Sequence, residues 1–282
     1  MRILVAYDGS ASADSAIENM RRAGLPKEAE ALVLCVATGE DFGEAEALAA
    51  AASQRLRSYF PQWDVSGRAL SGAPAAVILE AAGLWHPDLI VAGSHGRSSV
   101  ARLFLGSVSV ELVHRAPCPV RVSRAAGPAG GGPVRIVAGN DGSAEAEAAI
   151  RAIAKRSWPE KTEVCVVSVV QTLVPVPIEL DASTFAREPA FTVISEADAR
   201  EKSRLHGVVE NSAAVLQKAG LSVTAAVVDG DPRDALIAAA EHLNADVIFV
   251  GARGLGRMER ILLGSISTHV LTHARCTVEI VH

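Results

Sequence analysis

The 282-residue sequence lacks the marks of several protein classes. No run approaches the roughly 18 unbroken apolar residues of a membrane-spanning helix. The N-terminal stretch MRILVAYDGS has the pattern of a strand and a turn, not that of a signal peptide. A net charge of -5, without a basic excess, argues against general binding of nucleic acid, which needs a basic face. The sequence therefore predicts a cytoplasmic protein whose partners are neither membranes nor nucleic acids.

Cysteine is also scarce, and none of the four cysteines belongs to a CxxC pair. Each lies within a predicted strand: Cys35, Cys118, Cys165 and Cys276. The pattern predicts buried, reduced thiols and argues against a disulfide framework or a zinc site. Hydrophobic residues make up 49% of the chain, so a core can form without such cross-links. The length favours two domains of ordinary size.

What the sequence does contain is an internal repeat. Residues Met1–Ile17 (MRILVAYDGSASADSAI) recur as Val134–Ile150 (VRIVAGNDGSAEAEAAI), an offset of 133 residues. A glycine-rich segment, Gly93–Ser109 (GSHGRSSVARLFLGSVS), recurs as Gly251–Ser267 (GARGLGRMERILLGSIS), an offset of 158 residues. Two copies of one plan therefore follow each other along the chain.

We predict one domain at residues 1–124, a second at 134–282, and a flexible linker at 125–133 (AAGPAGGGP). The change of offset adds 25 residues to the second copy. Val169, which ends the second strand of that copy, still aligns at an offset of 133 residues. The insertion therefore lies in or around Gln171–Phe191, where three prolines and no clear period predict irregular structure.

Each copy alternates short apolar runs with stretches of helix-forming composition, which predicts five strands and four helices per copy. Inner runs such as LIVAG and VIFVG do not alternate with polar residues, as expected of strands that are covered on both faces. The predicted fold class is therefore α/β, with two tandem, doubly wound, open parallel-sheet domains. Such sheets bind ligands at the carboxyl ends of their strands.

The last run of each copy does alternate apolar and polar residues: Pro119–Ser123 (PVRVS) and Thr277–His282 (TVEIVH). This pattern is typical of sheet edges, and an unpaired edge favours pairing with another strand. Arg121 and Glu279 occupy equivalent positions with opposite charge. We therefore predict that the two copies pair through these strands as an intrachain pseudo-dimer.

The glycine segments have the chemistry of a phosphate-binding site. Each opens G-x-x-G, and after nine residues a Gly-Ser pair begins a predicted helix. Glycine lets backbone amides approach an anion closely, and a helix N-terminus favours negative charge. Ser107 and Ser265 are candidate N-caps that can also donate to phosphate. Asp8 and Asp141, which end the first strand of each copy, can accept from ribose hydroxyls or help to hold a divalent cation.

Two sets of candidate ligand-binding residues follow, one in each copy. In the first copy they are Gly93, His95, Gly96, Arg97, Gly106, Ser107, Val108 and Ser109. In the second copy they are Gly251, Arg253, Gly254, Gly264, Ser265, Ile266 and Ser267. We expect phosphate on the amides of residues 96–97 and 106–108, and of residues 254–255 and 264–266. The alternative is that these glycines form only tight turns and helix caps, with no ligand.

Together these motifs resemble those of the universal stress protein family in its ATP-binding branch. The resemblance rests on G-x-x-G-x9-G-[ST] after the fourth strand and D-G-S after the first, and it covers essentially the whole chain. It implies an adenine nucleotide alpha hydrolase-like fold with strand order 3-2-1-4-5, and ATP or ADP with Mg²⁺ at the strand ends. It also implies that the backbone of Val36 and Val169 holds adenine, that Asp8 and Asp141 lie near the ribose and the metal, and that two chains form a homodimer.

Three functions remain open at this point. The first, which we favour, is a regulatory protein whose conformation or partner choice depends on bound ATP. The second is an enzyme, either a slow ATPase or one that adenylates a substrate. Adenylating relatives usually carry S-G-G-x-D-S after the first strand, which AYDGSAS and GNDGSAE lack, and the sequence assigns no base to Ser107 or Ser265. The third is a dimerisation module that binds no nucleotide.

Overall fold

The computed structural model describes residues 1–39, 41–96, 105–124, 132–171, 189–255 and 263–282, with the side chains of 189–197 left aside. In the first half the strands are β1 (Arg2–Ala6), β2 (Glu30–Ala37), β3 (Asp64–Ser71), β4 (Leu89–Gly93) and β5 (Val120–Ser123). The helices of this half are α1 (Ala11–Asn19), extended by a 3-10 turn at Met20–Arg22, α2 (Phe42–Tyr59), α3 (Pro74–Trp85) and α4 (Ser107–Arg115).

The second half repeats this order. Its strands are β6 (Arg135–Gly139), β7 (Glu163–Val170), β8 (Ser222–Asp229), β9 (Val247–Gly251) and β10 (Thr277–Val281). Its helices are α5 (Ala144–Ala154), α6 (Pro189–Lys218), α7 (Pro232–His242) and α8 (Ser265–His273). The predicted five strands and four helices per copy are therefore confirmed within the described residues.

All ten strands form one sheet in the order β3-β2-β1-β4-β5-β10-β9-β6-β7-β8. Each half is parallel and has the strand order 3-2-1-4-5 that the family resemblance implies. The halves join where β5 and β10 pair antiparallel, with Arg121 opposite Glu279. The predicted pairing of these two strands is confirmed, and because they pair with each other they lie at the centre of the sheet.

Helices cover both faces of the sheet. Helices α3, α4, α7 and α8 pack over one apolar cluster that is continuous between the two halves. On the opposite face, α1 and α2 pack over one cluster, and α5 and α6 pack over another. Strands β4 and β9 are buried along their length up to the final glycine, which explains why their sequences do not alternate.

The D-G-S motif forms the same turn in both halves. Gly9 and Gly142 have φ angles of +76° and +83°, in the left-handed region that favours glycine. Ser10 and Ser143 then serve as N-caps of α1 and α5, and their hydroxyls accept from the backbone amide three residues on, at 3.2 and 3.3 Å. The motif therefore starts a helix directly from the end of the first strand.

A buried ionic cluster crosses the junction of the two halves. Glu279 is fully buried, and its Oε2 accepts from Arg121 Nη1 at 3.0 Å and from Arg156 Nη1 at 2.9 Å. Arg156 Nη2 also donates to Glu279 Oε1, and its Nη1 donates to the Ala23 carbonyl at 3.1 Å. Burial lowers the pKa of Arg121 from its ordinary value, because a buried guanidinium loses its hydration. The junction thus depends on one carboxylate shared by two arginines.

Two details differ from the sequence-based expectations. Cys118 and Cys276 precede β5 and β10 and do not lie within them, although all four thiols are free as expected. Pro189–Phe191, which we expected to be irregular, belong to α6 because Pro is compatible with the first turn of a helix. The rest of the expected irregular stretch beyond Gln171, and linker residues 125–131, lie outside the described residues. None of the helices in the described ranges is long and apolar enough to cross a membrane.

Candidate functional site

Each half carries one cleft at the carboxyl ends of its strands, where the first and fourth strands lie side by side and the chain order reverses. The first cleft encloses about 400 Å³, and the second about 590 Å³. Both volumes lie within the roughly 300–1,000 Å³ of small-molecule sites. The candidate residues of each copy line its cleft, except Arg97, which lies outside the described residues.

The floor of each cleft is apolar. Val36 and Val169, the expected adenine contacts, are half-buried at the ends of β2 and β7 and line the two clefts. Sequence reasoning missed the rest of the floor, which consists of Leu34, Pro74 and Ile78 in the first cleft and Val167, Pro232 and Leu236 in the second. The signal for the prolines, Ile78 and Leu236 was present in the aligned segments SGAPAAVI and DGDPRDALI, because each proline begins a helix at the rim.

The two aspartates connect the D-G-S turn to the glycine segment. Oδ1 of Asp8 and of Asp141 accepts from the amide two residues on, at 3.0 and 2.9 Å. Oδ2 of Asp141 accepts from Leu255 N at 3.1 Å. A Cβ at Gly96 would lie 2.9 Å from Asp8 Oδ2, and one at Gly254 would lie 2.6 Å from Asp141 Oδ2. A larger residue at either position would therefore have to displace the carboxylate.

Gly93 and Gly251 line their clefts, and they also allow close packing of a strand end against a helix. A Cβ at Gly93 would lie 2.8 Å from Ala13 N in the first turn of α1, and one at Gly251 would lie 2.7 Å from Ala146 N of α5. Both glycines therefore let the end of the fourth strand approach a helix N-terminus closely. Packing thus accounts for glycine at both positions, and the predicted contact of these residues with a ligand stays a prediction.

The Gly-Ser pairs require a correction of the expected capping. Gly106 and Gly264, not Ser107 and Ser265, occupy the N-cap positions of α4 and α8. The amides of Gly106 and Gly264 donate to the carbonyls of Ser94 and Ala252, at 2.7 and 2.8 Å, so these two amides do not point at a ligand. The first amides available to an anion belong to the first turn of each helix, because those groups have no intrahelical partner.

Those available amides are on residues 107–109 and 265–267, because the first intrahelical bonds are donated by Val110 N and Thr268 N. Ser107 and Ser265 are exposed, whereas Val108 and Ile266 are half-buried at the cleft. Ser109 and Ser267 are buried, and their hydroxyls donate to the carbonyls of Gly93 (2.6 Å) and Ala252 (2.8 Å). These two serines fix the helix to the strand end, so their hydroxyl protons are engaged within the protein.

His95 and Arg253 occupy equivalent positions but make different contacts. His95 Nδ1 lies 2.9 Å from Ser94 Oγ. The His95 carbonyl accepts from the hydroxyls of Ser10 and Ser12 at the start of α1. Arg253 forms an ion pair of 2.7 Å with Glu145 on α5. Leu255 N, which we expected to contact phosphate, donates to Asp141. The two clefts are therefore similar in backbone and different in side-chain chemistry.

Helix α6 contributes side chains to the second cleft that sequence reasoning did not identify. Arg204 is held by Glu201 through two hydrogen bonds, Nε to Oε2 at 2.8 Å and Nη2 to Oε1 at 2.7 Å. Arg204 Nη2 also donates to the carbonyl of Asp141 at 3.0 Å. The hydrogen bond from Arg204 lowers the pKa of Glu201 and so keeps the pair ionised. No motif marks these residues, because the insertion interrupts the alignment before α6.

Burial also suppresses ionisation at the first cleft. It raises the pKa of Cys35 to about 12, with a smaller contribution from Asp8. It raises the pKa of Tyr7 well above its ordinary value, with further contributions from the hydrogen bond that Tyr7 donates to Asp14 at 2.7 Å. Both groups line the cleft in their neutral forms at physiological pH. Neither Cys35 nor Tyr7 therefore presents an anionic nucleophile to a ligand.

The residues present fit a nucleotide with Mg²⁺. Magnesium is usually held by one or two carboxylates, phosphate oxygens and water. Oδ2 of Asp8 makes no hydrogen bond to any described residue, and Asp41 and Glu44 line the same cleft. Asp141 has both oxygens engaged, but each carboxylate oxygen retains a second lone pair. An apolar floor beside helix amides suits a base joined to phosphate.

Comparison with known proteins agrees with this architecture. The model of the universal stress protein family matches residues 1–124 and 134–282. A universal stress protein of Mycobacterium tuberculosis (strain ATCC 25618 / H37Rv) is 33% identical over 196 residues, which are 68% of this chain and 60% of that protein. The match thus spans less than two thirds of that relative's length. A universal stress protein of Thermus aquaticus is 51% identical over 55 residues, 20% of this chain and 40% of that protein.

A solved structure has the same fold across both halves. The universal stress protein from Archaeoglobus fulgidus DSM 4304 aligns with a TM-score of 0.65 at 20% identity, over 99% of this chain and 95% of that chain.

Proposed function

The chain belongs to the universal stress protein family, and from this premise we propose that it is a regulatory protein that binds ATP or ADP, with Mg²⁺, in each of its two clefts. Nucleotide occupancy would set its conformation or its choice of partner. The observation that carries the proposal is the repetition of one arrangement in both halves. Each cleft combines an apolar floor, a carboxylate at the first strand end and a helix N-terminus with available amides.

Each part of the arrangement suits one part of the ligand. The floor at Val36 or Val169 suits the adenine ring, and Asp8 or Asp141 suits the ribose or the metal. The amides of the first turn of α4 and α8 suit the phosphates, because a helix N-terminus stabilises negative charge.

The enzymatic alternative has less support. Ser107 and Ser265 are exposed, and within the described chain neither hydroxyl hydrogen-bonds to a histidine or a carboxylate that could act as a base. Slow hydrolysis of bound ATP, which would leave ADP, is compatible with the proposal. The dimerisation module without nucleotide is the remaining alternative, and it predicts clefts that bind no adenine compound.

The proposal also includes a cytoplasmic location and the association of two chains as a homodimer. Four free thiols suit the reducing cytoplasm. The family resemblance further suggests that two chains associate, which analytical ultracentrifugation can test with and without ATP.

Titration of single-site variants tests the proposal. Gly106 and Gly264 have φ of -69° and -66° with extended ψ, a conformation that valine adopts. A Cβ at Gly106 would lie 3.2 Å from His95 Cα, and one at Gly264 would lie 3.3 Å from the Ala252 carbonyl oxygen. Gly106→Val and Gly264→Val would therefore displace the backbone at the helix N-terminus that phosphate approaches. The expected loss is that of a charge-assisted hydrogen bond, about 1.5–3 kcal/mol, or tenfold or more in affinity.

Isothermal calorimetry should find two ATP sites per wild-type chain and one per variant. Mass analysis of nucleotide released on denaturing the purified protein gives independent evidence. A folded protein that binds no adenine nucleotide at millimolar ATP would support the dimerisation module instead.

A further inference from the structure

Helix α8 carries a pair of histidines on one of its faces. His269 and His273 are four residues apart, and residues with this spacing are neighbours on a helix surface. Their ring centroids lie 4.0 Å apart, with an angle of 22° between the ring planes. Neither histidine is among the residues that line the second cleft, so the pair is separate from the proposed nucleotide site.

The first half has a different pair at the same place. At an offset of 158 residues the equivalents are Glu111 and Arg115 on α4, whose side chains form an ion pair of 2.5 Å. The opposite charges of that pair balance each other. Two imidazoles have another capacity, because each neutral ring has one unprotonated nitrogen that can bind a metal ion.

A hydrogen bond fixes the tautomer of His273. Its Nδ1 lies 2.9 Å from the carbonyl oxygen of His269, and because a carbonyl only accepts, Nδ1 carries the proton. In the neutral ring Nε2 is then unprotonated. Metal-binding histidines usually donate their other ring N–H to a carboxylate, a backbone carbonyl or water in the same way. His273 is exposed, so a metal ion in solution can reach its Nε2.

His269 has a carboxylate beside it. Its Nε2 lies 3.7 Å from Oδ1 of Asp234 on α7, whose side chain is 80% exposed and so is free to turn toward an ion. Burial, with a further contribution from His273, lowers the pKa of His269 and favours the neutral ring that a metal ion requires. Arg233, the arginine whose charge also acts on His269, pairs with Asp231 at 2.5 Å.

From this geometry we propose that His269 and His273 bind a divalent transition-metal ion, such as Zn²⁺, Ni²⁺ or Cu²⁺, through their Nε2 atoms. Two histidines four residues apart supply two ligands from one helix face, and imidazole suits these ions. Among the described residues no group of three ligands is preformed to hold a metal. The site therefore has two imidazole ligands, with Asp234 within reach as a third and water in the remaining positions.

Binding requires a local change of the two rings. Nitrogen ligands lie about 2.0–2.1 Å from Zn²⁺, so the stacked rings must turn about χ2 until both Nε2 atoms point at one ion. The χ2 torsion of histidine is broad, so this rotation costs little. No backbone movement is needed, because the helix already holds both residues on the same face.

Titration with Ni²⁺ tests the proposal in the full chain without nucleotide or affinity tag. Calorimetry is done with Mg²⁺ present, because Mg²⁺ takes oxygen ligands and so occupies carboxylate sites elsewhere. His269→Ala and His273→Ala should each weaken Ni²⁺ binding by at least about tenfold, because either change removes the advantage of two ligands held together. His206→Ala is the matched control, since His206 is an exposed histidine of α6 on the opposite face of the sheet.

A second measurement needs no variant. Diethyl pyrocarbonate modifies unprotonated imidazole, and peptide mass spectrometry reads the modification of each histidine. In the wild type, Ni²⁺ should protect His269 and His273 and leave His206 reactive.

The outcomes are distinguishable. A wild type that does not bind Ni²⁺ at submillimolar concentration, a His269→Ala protein that binds it as tightly as the wild type, or protection of other histidines only would overturn this inference. None of these results bears on nucleotide binding. A chain that binds Ni²⁺ at this pair but no adenine nucleotide would support this inference and overturn the proposed function.

Discussion

Replacing Glu279 by glutamine should be among the most damaging conservative substitutions in this protein. The change removes one negative charge and keeps the side-chain shape. It leaves Arg121 and Arg156, whose side chains are only 3% and 8% exposed, as buried cations with no counter-ion among the described residues. Removing one partner of a buried ion pair costs about 3–5 kcal/mol, because the remaining charge stays desolvated. We expect a loss in that range, at the upper end because two arginines share this carboxylate.

Glu163→Gln is a matched control on another strand. Glu163 pairs with Arg135 at 3.9 Å, and the two side chains are 63% and 49% exposed. An exposed pair contributes less than about 1 kcal/mol, so this variant should unfold close to the wild type. Unfolding should be followed by circular dichroism in urea, since guanidinium chloride would screen the charges under test.

A second substitution separates charge from shape. Arg121→Met in the Glu279→Gln background removes one of the two unpaired cations and should recover part of the lost stability, which a double-mutant cycle measures. The reasoning would be refuted if Glu279→Gln and Glu163→Gln had the same urea midpoint. It would also be refuted if Arg121→Met destabilised the Glu279→Gln protein as much as it destabilises the wild type.

Three further predictions concern the clefts. Gly254→Ala should displace Asp141 and expose the Leu255 amide to faster hydrogen exchange, whereas Gly207→Ala, with no atom within 4 Å, should not. Burial raises the pKa of Tyr7, so the folded protein keeps the phenol neutral while the unfolded chain ionises near pH 10. The stability from Tyr7 is therefore present below about pH 10 and falls as pH rises above it, and urea midpoints at pH 9 and 11 should show a smaller decrease for Tyr7→Phe. Burial raises the pKa of Cys35 to about 12, so a thiol reagent at pH 8 should modify Cys35 only after unfolding, as read by mass spectrometry.

The fold was predictable because its signals are local and occur twice. Uninterrupted apolar runs identify β4 and β9 as inner strands. Runs that alternate apolar and polar residues identify β5 and β10 as the edge strands of the two halves. Opposite charges at Arg121 and Glu279 then indicated how the halves join. Each of these inferences uses either the two-residue period of a strand or the comparison of the two copies. Neither method requires knowledge of contacts between distant parts of the chain.

The roles of individual site residues were less predictable. Gly93 was predicted only as a ligand-binding residue, and the sequence did not show that its missing side chain makes room for α1. The sequence assigned the N-cap to Ser107, whereas Gly106 caps α4 and donates its amide to Ser94. A glycine motif indicates that the backbone closely approaches another group, but it does not identify that group. Only the three-dimensional arrangement separates glycines that approach a helix from those that face a ligand.

Arg204 shows that sequence patterns can also miss a residue that lines the site. It lies 63 residues along the chain from Asp141, whose carbonyl it contacts, and no local pattern connects them. Its counterpart Glu44 is found only when helix α6 is aligned with α2 through the side chains that face Gly142 and Gly9. A repeat thus predicts shared architecture well, because packing constrains both copies alike. Side chains on the exposed turn of a helix beside the cleft are less constrained by packing, so differences between the copies at those positions must be read from the structure.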